Sequence, residues 1–236
     1  MRMRKKPNLG IRMEKCGSLI ETAPEELKGR WLEKYPSYKS LEIEMGCGKG
    51  RFTAETALQN TDTLLVAIER AESAMVMAME RVKNNGSENV RFIDGDVSKL
   101  PEMFALGEAK TIYINFCDPW PKSRDAKFRL TAPAFLRRYA DILEPGGEIQ
   151  FKTDNAPLFS WSLEQFKNEG WELHDVTNDL HKDGPVGIMT DYEARFYEEG
   201  MKINRLVAVK CDKTKTTADG EVPRLRDAAL SDARNC

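Results

Sequence analysis

The sequence predicts an α/β fold: a doubly wound, mostly parallel sheet of seven strands with helices on both faces and an antiparallel last strand. Three observations predict it. Short apolar runs alternate with segments of helical period along residues 40–210, the pattern that closes into β-α-β units through right-handed crossovers. The first run passes directly into a glycine-rich turn, G-C-G-K-G at 46–50. Acids stand at or just beyond the ends of four runs, as Glu44, Glu69, Asp96 and Asp118, where open α/β sheets bind their ligands.

Taken in order, residues 22–35 begin T-A-P-E, in which Thr22 can cap a helix and Glu25 can return the bond. A helix over 22–35 therefore leads into the domain. Strand one, 40–45, alternates Leu41, Ile43 and Met45 with polar residues and precedes the glycine turn and a helix over 52–58. Strand two is T-L-L-V-A-I at 63–68; the helix after it, 71–85, is stopped by Gly86. Met75, Met79 and Val82 recur there at helical spacing and read as core. Strand three, 90–93, leads to Asp94-Gly95-Asp96, and strand four, T-I-Y-I-N-F at 111–116, delivers Asp118 to the sheet edge. A helix over 132–143, a turn over 144–147 and strand five over 148–153 follow, ending at Asp154; a helix covers 158–168. Strands 171–176 and 203–210 form a hairpin around a long insertion. Its 181–200 segment is the least regular part, and such insertions are often functional.

The domain organisation expected is a basic arm over 1–16, one domain over 17–210 and a disordered tail over 211–236, where charges alternate and large apolar residues are few. With 236 residues, 41% hydrophobic and 31% charged, the chain suffices for one buried core. No apolar run nears the roughly 20 residues that cross a bilayer, and the basic start is not followed by an apolar signal segment. A cytoplasmic protein is expected, as monomer or homodimer. Five cysteines, scattered and without C-x-x-C spacing, indicate free thiols and no zinc site; Cys47 and Cys117 read as packing residues. His174 and His181 lack metal-ligand spacing, so no metal is expected.

The net charge of −2 does not itself point to nucleic acid. Its distribution does: Arg2, Arg4, Lys5, Lys6, Arg12 and Lys15 face Glu14 alone in the arm, and Lys122, Arg124, Lys127 and Arg129 follow Asp118 with Asp125 the single anion among them. These could form one footprint on a phosphate backbone, although a charged terminus can equally be a solvated one. Pro119 and Pro121 stiffen the loop and hold Trp120 between them, as a base-stacking residue or a structural wedge.

A glycine turn after strand one can receive a dinucleotide pyrophosphate, a nucleotide phosphate or S-adenosylmethionine. In the dinucleotide pattern G-x-G-x-x-G, the third glycine here comes one position early and Arg51 takes its place; in the phosphate loop, Lys49 should precede Ser or Thr but precedes Gly50. Glu44, two residues before Gly46, repels a pyrophosphate and attracts a cationic amino acid. S-adenosylmethionine carries both an ammonium and a sulfonium. Glu69 is placed to accept from its ribose hydroxyls and Asp96 to approach its adenine amino group, and the glycines Gly46 and Gly48 would admit it. Each acid singly could be a solvated strand end; four at four successive strands favour a cofactor site.

At this point the chain resembles the bacterial tRNA (guanine-N7-)-methyltransferases, which have the class I, Rossmann-like methyltransferase fold. The motifs that carry the resemblance are I-E-M-G-C-G-K-G (43–50), A-I-E-R (67–70), D-P-W-P-K-S-R with K-F-R-L (118–130), F-K-T-D-N (151–155), L-F-S-W-S-L (158–163) and M-T-D-Y-E-A-R-F-Y-E-E-G-M-K-I-N-R-L (189–206). The resemblance implies cofactor contacts from Glu44, Glu69, Asp96 and Asp118, with Asp118 also catalytic. It further implies contacts to tRNA or the target guanine from Lys122, Asp154 and the run Thr190, Asp191, Tyr192, Glu193; the implied target lies in the variable loop. Ser123, Asp125 and Phe128 depart from the family pattern and weaken the phosphate row. D-P-W-P also resembles the [DN]-P-P-[YFW] signature of enzymes that methylate exocyclic amines of adenine or cytosine. A third reading is a non-catalytic RNA-binding module.

Overall fold

The computed structural model describes residues 8–219, so most of the C-terminal tail and the first seven residues of the arm lie outside the described residues. Seven strands form one sheet: β1 Ser40–Met45, β2 Thr63–Glu69, β3 Val90–Asp94, β4 Ala109–Asn115, β5 Leu143–Thr153, β6 Glu172–Thr177 and β7 Asn204–Val209. Their spatial order is β3-β2-β1-β4-β5-β7-β6. All pairings are parallel except those of β7, which runs antiparallel to both β5 and β6. The helices are α1 Leu9–Lys15, α2 Trp31–Lys34, α3 Arg51–Gln59, α4 Glu72–Asn85, α5 Leu100–Met103, α6 Pro133–Ile142, α7 Ala156–Asn168 and α8 Asp191–Glu198.

Strands β1 to β4 are apolar on both faces because both faces are covered. On one side Ile43, Val66, Ile68, Ile112 and Ile114 pack with Leu136 and Phe159 from α6 and α7. On the other, Leu65, Ala67, Phe92 and Tyr113 pack with Phe52 of α3 and Met75, Met79 and Val82 of α4. The methionine stripe is thus core, as its spacing predicts. Alanine at position 78 and Gly50 set how closely α3 and α4 approach: a Cβ on Gly50 would stand 2.3 Å from that of Ala78, and Gly50 has φ +78°. From β1 the chain winds outward through β2 to β3, then crosses back to the far side of β1 at β4. The C-terminal ends of β1 and β4 therefore flank the crevice where such sheets take ligands.

Three stretches differ from expectation. Residues 22–35 do not form one helix but a 3₁₀ turn over Pro24–Leu27 and the short α2, with Gly29 at φ +76° between them. The Glu108 carboxylate is the physical reason: it accepts from the backbone N–H groups of Gly29 (2.9 Å), Trp31 (3.2 Å) and Ala105 (2.7 Å), a tertiary bond set that replaces the helical ladder. The insertion 181–200 contains α8, capped by Thr190 and Glu193 in a reciprocal box. Residues 211–219, within the expected tail, bond to the body of the domain through Lys215 N to Glu169 O (2.9 Å) and Thr217 Oγ1 to Asp141 (2.5 Å).

Candidate functional site

A cavity of about 270 Å³ opens at the crevice. Gly46, Glu69, Asp96 and Asp118 all line it, so three of the four predicted acids share one space. Glu69 also holds the glycine turn: its Oε2 accepts from Gly48 N and its Oε1 from Ala71 N, both at 2.9 Å. Each carboxylate oxygen keeps a second lone pair for a ligand. Asp96 caps the turn that follows it, Oδ1 accepting from Ser98 N at 2.8 Å. Glu44 belongs to the opposite face of β1. It is 1% exposed, accepts from Thr53 Oγ1 at 2.6 Å, and burial pushes its pKa up to about 7, against the opposing effect of that bond and of Lys152.

The loop after β4 is held in an unusual shape. Phe116 (φ 53°) and Trp120 (φ 42°) are both left-handed without being glycine, a cost of about 1–3 kcal/mol each that persists only where surroundings enforce it. Arg129 does the enforcing: Nε donates to Pro119 O (3.0 Å), Nη2 to Trp120 O (2.9 Å), and the guanidinium lies 4.5 Å from the Trp161 ring centroid. Trp120 rests on Phe128 at 5.3 Å, which places the family-departing Phe128 in the cavity wall. Asp118, between the two strained residues, is exposed. Of the predicted cations, Arg129 faces inward as a clamp, whereas Lys122, Arg124 and Lys127 are exposed; Arg124 lies a loose 3.8 Å from Asp125.

The predicted run Thr190–Glu193 mostly secures α8. Glu193 is fully buried; its Oε2 accepts from Lys152 Nζ at 2.6 Å and its Oε1 lies 3.0 Å from His181 Nε2. His181 Nδ1 accepts from Val186 N at 3.1 Å, so the ring proton is on Nε2 and points at Glu193. Burial lowers the Lys152 pKa against the pull of Glu193. Asp191 forms a bidentate pair with Arg81 of α4, both bonds 2.9 Å. Tyr192 alone of the run projects to solvent, stacking at 6.3 Å on Phe196, which lies 6.0 Å from Phe116. Asp154 sits half-buried at the end of β5, beside the α7 cap Asn155.

Sequence reasoning missed Asn115, Lys152, His181 and Phe196. The T-D-Y-E spacing of a capping box was the available signal for α8; its partners on β5 and at 181 leave none in local sequence. Among the described residues no cluster of His, Cys, Asp or Glu could hold a metal, and no helix is long and apolar enough to cross a membrane.

Comparison with known proteins places this geometry. A family model described as a putative methyltransferase matches residues 38–206. The tRNA (guanine-N(7)-)-methyltransferase of Clostridium tetani is 42% identical over 209 residues, covering 88% of this chain and 99% of that protein. The Bacillus subtilis protein of the same name is 39% identical, covering 87% and 97%. Among solved structures, the 16S rRNA methyltransferase KamB superposes with a TM-score of 0.59 at 16% identity, over 78% of this chain and 93% of that one, a likeness of fold.

Proposed function

This chain belongs to the tRNA (guanine-N(7)-)-methyltransferase family, and we propose that it transfers a methyl group from S-adenosylmethionine to N7 of a guanine in the variable loop of tRNA, in the cytoplasm. The observation that carries the reading is the cavity at the switch point, walled by Glu69, Asp96 and Asp118 and flanked by exposed cations. A carboxylate-walled cavity fits a cationic ligand and disfavours a polyphosphate. Glu69, with lone pairs left after its two backbone bonds, would hold ribose hydroxyls; Asp96 would face the adenine. When bound, S-adenosylmethionine supplies a methyl group activated by its sulfonium.

The chain's own residues have little proton chemistry to perform. Guanine N7 carries an in-plane lone pair and no proton, so no base is needed to create the nucleophile; alignment is the main requirement. The Arg129 clamp fixes the loop that carries Asp118, and the methylated purine is cationic. Asp118, exposed at the cavity mouth, would accept from the guanine N1–H and amino group and stabilise that developing charge. Lys122, Arg124 and Lys127 would meet phosphates, with Asp154 and Tyr192 toward the target nucleotide.

Incubation with labelled S-adenosylmethionine and unmodified tRNA transcripts tests the reading. Label should enter transcripts with a variable-loop guanine, and the product should cleave with borohydride and aniline. Label stable to that treatment, or entering transcripts without the guanine equally well, would overturn it.

A further inference from the structure

We propose that Asn115 is a binding residue for the α-amino-acid end of the methyl donor, an inference that rests on the function proposed above. Asn115 closes β4 and is 8% exposed. It pairs in register with Lys152 of β5 and follows Ile114, which pairs with Met45, so it lies across from Gly46. It contributes to the wall of the cavity. Neither its Nδ2 nor its Oδ1 meets a hydrogen-bond partner.

A buried amide left without partners is destabilising, and its retention calls for an occupant that satisfies it. The other sealed, unpartnered atoms among the described residues, on Thr56, Ser87, Tyr139 and Trp171, belong to side chains outside the cavity wall. Asn115 alone combines an orphaned donor, an orphaned acceptor and a place at the site. The strand order fixes which end of a ligand it meets. Along β3, β2, β1 and β4 stand Asp96, Glu69, Gly46 and Asn115. With adenine at Asp96 and ribose at Glu69, the remaining end of the donor falls between Gly46 and Asn115. That end carries a carboxylate and an ammonium. A neutral amide offers a donor to the first and an acceptor to the second, and its broad terminal torsion lets it turn onto an incoming group at little cost.

Two probes that differ only by that end, S-adenosylhomocysteine and 5′-methylthioadenosine, separate the roles in calorimetric titrations. Wild type should bind S-adenosylhomocysteine more tightly. Asn115→Leu should weaken it by about tenfold or more and leave 5′-methylthioadenosine within about twofold. The unliganded leucine variant should melt about 2–4 °C higher, since an orphaned amide has been removed. Asn115→Ala, which adds no volume, carries the same expectation for the two probes. Equal loss for both probes, no loss for either, or a lower Tm in both variants overturns the assignment and leaves the proposed function standing. A wild-type protein that binds neither probe at millimolar concentration overturns the proposed function itself, and the assignment with it.

Discussion

Asp118 is the residue on which the chemistry turns, because the strained loop of Phe116 and Trp120 presents it at the cavity mouth. Asp118→Asn keeps its size and removes its charge. Turnover should fall by about 10²–10³, the usual loss on removing one electrostatic contact to a transition state, with tRNA affinity kept within a few-fold; near-normal single-turnover rates would exclude the role. Glu44 acts differently, because burial raises its pKa to about 7. A carboxyl whose folded pKa lies above its unfolded value stabilises the fold fully below the unfolded pKa, near 4.5, and that stability is lost as pH rises through about 7. The unliganded protein should therefore lose up to about 3 kcal/mol of stability between these limits, and Glu44→Gln should flatten the slope. Urea titrations of the two proteins at pH 5 and pH 8 that stay parallel would refute it. That acids end these strands was legible in the sequence. The face each one takes was not, since both faces of β1 are buried and alternation there distinguishes nothing.

At the scale of the element, α8 shows what local sequence carries and what it leaves out. Thr190 and Glu193 write a capping box into four residues, yet Glu193 also binds Lys152, 41 positions away, and His181, 12 away. Such partners follow only from tertiary placement. The same limit explains residues 22–35, where the T-A-P-E start is present but Glu108 draws the backbone N–H groups elsewhere. Because α8 hangs on a buried ion pair, Lys152→Met should cost about 3–5 kcal/mol by stranding Glu193 without its cation. Lys152→Met combined with Glu193→Gln should recover most of that loss, since a neutral pair of similar shape is tolerated. A denaturation cycle in which the two losses simply add would show that the residues do not act as a pair.

Across the whole molecule, strand order and charge act together. The return of the chain from β3 to β4 creates the switch point, and the regular alternation of elements made that topology legible before any coordinates. The charge arrangement was legible only in part: all four cations after Asp118 were visible, but Arg129 turns inward to the carbonyl groups of Pro119 and Trp120, which proximity in sequence to Lys127 could not reveal. Lys122, Arg124 and Lys127 remain on the outside of a protein of net charge −2, so attraction to RNA must be local to this lip and opposed by the rest of the surface. Replacing Lys122 and Arg124 together with alanine should lower tRNA affinity and reduce the slope of log K against log salt by about 1–2, one counterion released per lost phosphate contact. Affinity for S-adenosylhomocysteine should be unaffected, because neither side chain lines the cavity. An unchanged slope would place the RNA on another face, whereas a parallel loss of S-adenosylhomocysteine binding would mean that the lip and the cavity form one cooperative unit rather than two adjoining sites.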